Sequence, residues 1–146
     1  MNNKLHVMAN DLIKTFKYAS FGVIDENGYP SVSAVSLNNP ENIAEFYFTT
    51  TMDSNKVKRL AKINKACLNC YTSDNNITLV GEADIVSDEE TKKLYWDKWV
   101  ELGADVYPGG VSDPNYCFVR FKTKRVSLWI NNEGSEFMLD KSNNLF

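Results

Sequence analysis

Hydrophobic positions recur with two different periods along the chain, and these periods divide it into helices and strands. From Lys4 to Ala19 the apolar side chains follow helical spacing; they are Leu5, Met8, Leu12, Phe16 and Ala19. Downstream, short β-branched and aromatic runs with a period of two predict strands. These strands cover residues 21–24, 31–37, 45–50, 66–72, 77–86, 116–121 and 125–130.

Two more helices are predicted from their start signals. Asp53 or Ser54 caps a helix whose apolar stripe is Val57, Leu60 and Ala61. The run Ser87-Asp88-Glu89-Glu90 has the spacing of a capping box and opens a helix over residues 88–99. Its acidic residues complement the helix dipole.

The order of elements is helix, three strands, helix, two strands, helix and two strands. Since most strands follow one another without an intervening helix, we predict an antiparallel sheet or barrel with helices at its edges. Asn27-Gly28 indicates a hairpin turn, and Gly81 indicates a bulge or a close backbone approach. A loop over 103–115 and a polar tail after residue 131 complete the chain, which we expect to be one domain, 1–146, with 132–146 peripheral.

The composition of the chain argues against several classes of function. The 146 residues carry a net charge of -3, so the basic surplus of a nucleic-acid binder is missing. No apolar run reaches the roughly 18 residues of a membrane span, and no signal-peptide core is present. The three cysteines are an odd number for a disulfide framework. We therefore expect a cytoplasmic protein that binds neither nucleic acid nor membrane.

Familiar catalytic and metal-binding motifs are missing from the sequence. It contains no GxGxxG, GxxxxGK[ST], GxSxG or HExxH, and His6 is its only histidine, read as a partly exposed helix residue. Cys67 and Cys70 form a CxxC, but on a strand two residues three apart point to opposite faces, so we expect ordinary cysteines and no metal site.

The stretch FYFTTTMDSNKVKRL (46–60) carries the best candidate for ligand chemistry. A strand ends in hydroxyl residues, among them Thr49 and Thr50, and a helix then begins with Lys56 in its first turn. Helix N-termini offer unpaired N–H groups and partial positive charge, which together with hydroxyls and a lysine suit a phosphate. A plain serine cap with solvated lysines is the equally weighted alternative.

Aromatic residues form a second cluster of interest: Tyr95, Trp96, Trp99, Tyr107 and Trp129. Such rings stack on planar ligands, but they also fill cores. Core packing is favoured for Trp96 and Trp99, which are three residues apart on one helix. Trp129, in the last predicted strand, is the stronger candidate for a ligand contact.

These residues resemble the pyridoxamine 5'-phosphate oxidase-like split-barrel flavoproteins, and more narrowly their general-stress-protein branch. The resemblance runs from about Leu12 to Ile130. Its carriers are GYPSVSAV (28–35), YFTTTMDSNK (47–56), VGEA (80–83), YPGG (107–110) with Asp113-Pro114, and the closing Leu128-Trp129.

The resemblance implies a mainly β protein, an antiparallel split β-barrel of six to seven strands with flanking helices. It also implies a homodimer with FMN at the interface. The FMN phosphate would be held by Ser54, Asn55 and Lys56, with Thr49 and Thr50 alongside. The strand carrying Ser33, Ala34 and Val35 would follow the flavin ring, and Trp129 would come from the partner subunit. Tyr107 and the following glycines would border the substrate side.

Two departures from the family pattern matter. Many relatives carry an arginine at the Ser33 position, where it meets the phosphate. True pyridoxamine phosphate oxidases also have an Arg-x-His region near the C-terminus, whereas Trp129 is followed here by Ile130-Asn131-Asn132. We therefore expect no vitamin B6 oxidase activity.

The resulting hypothesis is an FMN-dependent oxidoreductase that takes electrons from NAD(P)H or a small-molecule redox substrate. Its catalytic residues are not assigned, because the flavin itself would carry the chemistry. The alternatives are a non-catalytic FMN-binding or storage protein, the same fold with a deazaflavin or haem, and a ligand-free dimeric scaffold.

Overall fold

Seven antiparallel strands form one sheet within residues 3–38, 40–98 and 106–139, which a computed structural model describes. The helices are α1 (Asn3–Ile13), α2 (Asn55–Lys62) and α3 (Glu89–Trp96). The strands are β1 (Tyr18–Ile24), β2 (Pro30–Ser36), β3 (Glu45–Thr51), β4 (Lys65–Tyr71), β5 (Asn75–Val86), β6 (Tyr116–Ile130) and β7 (Glu133–Met138). None of the described helices has the length and apolarity needed to cross a bilayer.

The sheet curves into a barrel that does not close. Its strand order is β2-β1-β4-β5-β6-β3, with β7 added at β6, so β2 and β3 are its end strands. Alternating side chains fill the inside, where Phe21 meets Phe48 and Phe121 edge to face at ring-centroid distances of 5.0 and 6.3 Å. The prediction of a mainly β, antiparallel split barrel with flanking helices is confirmed.

Gly81 permits the tightest bend of the sheet. A Cβ at this position would lie 2.0 Å from the carbonyl oxygen of Lys122, so only glycine fits. The register of β5 and β6 shifts there, because Val80 pairs with Arg125 whereas Gly81 pairs with Thr123. The predicted bulge is confirmed. The same bulge lets β6 continue through residues 122–124, where two separate strands were expected.

Several boundaries differ from those predicted. The first helix ends at Ile13 instead of Ala19, because Phe16 and Ala19 pack on the same core from the following turn and from β1. Asp88, and not Ser87, caps α3, its carboxylate accepting the Thr91 N–H at 2.9 Å. His6 is buried on α1, so its reading as a partly exposed residue was wrong.

Residues 133–138, part of the tail expected to be peripheral, pair with β6 as strand β7. The polar sequence of this segment gave no strand signal, because backbone hydrogen bonds to β6 hold the strand in place. Phe137 is the side chain of β7 that packs on the core. Trp99, the first residues of the predicted 103–115 loop and the end of the tail lie outside the described residues.

Candidate functional site

The end of β3 and the start of α2 bring two hydroxyls and a lysine together. Ser54 occupies the N-cap position of α2, and its N–H bonds the Thr51 carbonyl at 3.0 Å, which closes the turn. The Ser54 and Thr50 hydroxyl oxygens are 3.4 Å apart, and the Lys56 ammonium donates to the Thr50 hydroxyl at 3.5 Å. We call Thr50, Ser54 and Lys56 the cradle.

Lys56 is a half-buried cation in this cradle. No salt bridge joins Lys56 to a carboxylate among the residues that the structure describes. Burial lowers the pKa of Lys56 below its ordinary value, since desolvation disfavours the charged form. An anion placed here would favour the charged form of Lys56 and so offset the cost of its desolvation. The Ser54 side chain makes no capping bond, so it does not consume the N–H groups at the start of α2.

The floor of the cradle is hydrogen-bonded and dry. The buried Tyr107 hydroxyl donates to the Thr50 carbonyl at 2.8 Å, and the Cys117 thiol approaches the same oxygen at 3.5 Å. Burial raises the pKa of Cys117 to about 11, so this thiol is neutral at physiological pH. The hydroxyl of Tyr107, a residue expected on the substrate side, supports the backbone of Thr50.

Strand alternation separates the two threonines predicted to act together. Thr50 is only 7% exposed and lies on the same face of β3 as Phe46 and Phe48. Thr49 therefore points to the opposite face, where its strand neighbour is Phe118, a residue packed beneath α3. Asn55 is exposed at the first position of α2.

The predicted ring-binding strand is an open edge of the sheet. On β2 the side chains of Ser33 and Ala34 are exposed, whereas Val35 is buried in the core. Because β2 is an end strand, one side of its backbone has no strand partner within the described sheet. Small side chains beside an unpaired edge let a planar group approach the backbone closely.

Arg59 is a cation near β2 that the sequence analysis did not single out. Its guanidinium holds Glu26 of the β1–β2 hairpin through Nε at 3.0 Å and Nη2 at 3.4 Å, and donates from Nη1 to the Ser31 hydroxyl at 3.0 Å. Arg59 lies three residues after Lys56 on α2, so the i, i+3 spacing of cations was the available signal.

Trp129 lies away from the cradle of its own chain, on the outer face of the sheet. Five large exposed apolar side chains share that face in the strand registers; they are Tyr18, Val32, Tyr71, Trp129 and Met138. We call these residues the outer apolar face. Isolated exposed apolar residues are ordinary, whereas five on one sheet face make that face a candidate contact surface.

The remaining sequence candidates lie in packed surroundings. Trp96 meets Tyr116 edge to face at 5.1 Å, which confirms core packing for that tryptophan. Cys67 lies on the outer face and Cys70 in the core, and both are free, so the expected divergence of the CxxC thiols is confirmed. A cavity of about 470 Å³ is lined by Tyr47 and by Tyr95, one of the aromatic candidates, but by none of the residues predicted to bind FMN.

Comparison with known proteins places this architecture in a family. The family model described as "Pyridoxamine 5'-phosphate oxidase like" matches residues 6–141. Among solved structures, a protein of Clostridium acetobutylicum related to general stress protein 26 of B. subtilis, described as of the pyridoxinephosphate oxidase family, is 26% identical. It superposes with a TM-score of 0.83, covering 100% of both chains.

Two more distant structures share the fold. General stress protein 26 of Bacillus anthracis is 15% identical with a TM-score of 0.67, covering 89% of this chain and 97% of its own. A heme binding protein from Mycobacterium smegmatis is 13% identical with a TM-score of 0.66, covering 89% of this chain and 56% of its own. A search of curated proteins found no significant match. The chain therefore belongs to the pyridoxamine 5'-phosphate oxidase-like family, in its general-stress-protein branch.

Proposed function

We propose that this protein binds FMN and acts as a flavin-dependent oxidoreductase. The observation that carries the proposal is the half-buried Lys56 ammonium, which no carboxylate neutralises within the described residues and which points at the Thr50 hydroxyl. A phosphate carries nearly two negative charges at neutral pH and accepts several hydrogen bonds. The cradle offers it a cation, two hydroxyls and the start of a helix.

The open edge of β2 supports a flavin better than a free phosphate ligand. In the proposal the ring system lies along Ser33 and Ala34, whose small side chains admit a planar group, while Lys56 holds the phosphate. FMN would supply the hydride or electron transfer. The chain's own residues would bind the phosphate, orient the ring and keep one side of it dry.

We further propose a homodimer that assembles through the outer apolar face. Burying Val32, which is 66% exposed, and Trp129, which is 47% exposed, removes apolar area from water and favours association. The proposal retains Trp129 as a side chain presented to the partner subunit's flavin. The free cysteines fit a reducing compartment, and we assign the protein to the cytoplasm.

Haem fits the cradle less well than FMN does. Histidine is a frequent axial ligand of haem iron. The single histidine, His6, is buried on α1, an element that contributes no residue to the cradle. A half-buried lysine surrounded by hydroxyls is a site for phosphate rather than for a porphyrin face.

The decisive experiment is the visible absorbance spectrum of natively purified protein, recorded before and after titration with FMN. The proposal predicts two flavin bands and FMN release on denaturation. A colourless protein that takes up no FMN overturns it and leaves the scaffold or another cofactor. Anaerobic stopped-flow with NADH and NADPH then separates the enzyme from a storage protein, since a storage protein's flavin stays oxidised with both donors.

A further inference from the structure

Arg59 links helix α2 to the open edge strand of the sheet. Its guanidinium donates from Nη1 to the Ser31 hydroxyl on β2 at 3.0 Å and forks around the Glu26 carboxylate. The side chain is 21% exposed, whereas that of Glu26 is 57% exposed. A cation is therefore fixed at the junction of α2 and β2, while its present carboxylate partner remains largely in solvent.

We infer that Arg59 is the second phosphate-binding cation of this site and acts together with Lys56 on the phosphate of the flavin. The inference rests on the proposed FMN binding and names a residue that neither the sequence motifs nor the family resemblance assigned. Lys56 and Arg59 are three residues apart on α2 and therefore neighbours on its surface.

The strand directions bring the cradle to the same end of β2 as Arg59. Phe48 on β3 meets Phe21 on β1, and Phe21 pairs with Ser33 on β2. Each neighbouring pair in the order β2-β1-β4-β5-β6-β3 is antiparallel, so β3 runs opposite to β2. Advancing from Phe48 to Thr50 therefore moves toward Ser31, the residue that Arg59 bonds.

The charge of the ligand requires a second cation. A phosphate monoester carries nearly two negative charges at neutral pH, and Lys56 supplies one positive charge. Guanidinium groups bind phosphate oxygens in pairs, which a lysine does not do. Ser33 is a neutral residue on β2, two positions from Ser31 on the same strand face, so Arg59 supplies from the helix the charge that β2 does not carry.

Glu26 is a partner that a phosphate can replace. The β1–β2 hairpin is held by Asp25, whose carboxylate accepts the N–H groups of Asn27 and Tyr29, both at 2.9 Å. Releasing Glu26 therefore leaves the turn intact. Exposed ion pairs contribute little to stability, so losing the Glu26 pair to a dianionic phosphate costs little. Glu26 then competes with the ligand for Arg59.

The test compares FMN with riboflavin, which has the same ring system but no phosphate. Dissociation constants are measured by flavin fluorescence for the unaltered protein and for Arg59→Gln, which keeps hydrogen-bond donors but loses the charge. We expect FMN affinity to fall about 10- to 100-fold while riboflavin affinity stays within about 2-fold. Arg59→Lys should retain part of the preference for FMN, and Glu26→Gln should strengthen FMN binding.

Arg120→Gln is the matched control, because Arg120 is also ion-paired, with Asp84 on β5, but lies outside the cradle. It should leave both affinities unchanged. An unaltered FMN-to-riboflavin ratio in Arg59→Gln overturns the role of Arg59 while FMN binding by the unaltered protein still supports the proposed function. No FMN binding by the unaltered protein overturns the proposed function itself. If Arg59→Gln fails to fold, Glu26→Gln decides, and unchanged FMN affinity there counts against Arg59.

Discussion

Lys56 reaches back from the first turn of α2 to Thr50 on β3, with its ammonium nitrogen 3.5 Å from the threonine hydroxyl oxygen. The contact gives the lysine a polar partner at the positive end of a helix, a position that is otherwise unfavourable for a cation. The ammonium is partly buried, and no salt bridge joins it to a carboxylate among the described residues.

Lys56→Ala should weaken FMN binding about 10- to 100-fold, because a charge-assisted contact to the phosphate is lost. Lys93→Ala is the matched control: Lys93 is exposed on α3, and its loss changes the net charge equally. Flavin fluorescence titration measures both. Equal affinity of Lys56→Ala and the unaltered protein would show that the phosphate is held elsewhere.

The preference for FMN over riboflavin should decline at alkaline pH. Burial lowers the pKa of Lys56, so its positive charge is lost at a lower pH than the charge of an exposed lysine, whose pKa is about 10.4. The ratio of FMN to riboflavin affinity, measured from pH 7 to pH 10, reports this loss, because ring ionisation affects both ligands. A Lys56→Met variant should abolish the alkaline decline. A constant ratio across this range would contradict the prediction.

The neighbouring threonines should differ in their effect on the phosphate. Thr50→Val removes a hydroxyl that faces Lys56, whereas Thr49→Val removes one on the opposite face of β3. We expect Thr50→Val to reduce FMN affinity about 5-fold, in line with one neutral hydrogen bond, and Thr49→Val to have a smaller effect. Titration of both variants with FMN under one set of conditions measures the two losses of affinity. A larger loss in Thr49→Val than in Thr50→Val would place the phosphate on the α3 side.

Val32→Glu should convert a dimer into a monomer. Val32 is 66% exposed on the outer apolar face, and a carboxylate there would be buried against its partner without compensation. Val7→Glu is the control, since Val7 is comparably exposed on α1, outside the sheet. Light scattering after size-exclusion chromatography gives the mass of each. A monomeric unaltered protein would exclude the proposed interface.

Gly81→Ala should destabilise the fold by about 3 kcal/mol, because its Cβ would meet the backbone oxygen of Lys122, which cannot rotate away. Gly134→Ala is the matched control: its Cβ would lie 3.4 Å from the Trp129 ring, an ordinary contact, and should cost less than about 0.5 kcal/mol. Urea unfolding measures both free energies. A Gly81→Ala variant as stable as the unaltered protein would argue against the bulge.

The local sequence pattern was sufficient to predict most of the helices and strands and to locate part of the candidate site. The period of two marked the strands, the clustering of strands between helices indicated an antiparallel sheet, and Gly81 marked the bend that the structure contains. The strand-to-helix turn with Ser54 and Lys56 was visible because the residues of the candidate site are adjacent in sequence. Strand β7 was missed because edge pairing depends on backbone groups, which any polar sequence carries.

Only the tertiary structure decided which of these residues lie close together. Strand alternation turned Thr49 away from Thr50, and burial of Tyr107 brought its hydroxyl to the Thr50 carbonyl. Arg59 approaches Ser31 across 28 positions of sequence, a contact created by packing α2 against the curved sheet. The sequence by itself determined the local elements and the presence of the cations. The curvature of the sheet and the packing of α2 against it determined which groups those cations contact, because long-range contacts depend on the packing of elements that are distant along the chain.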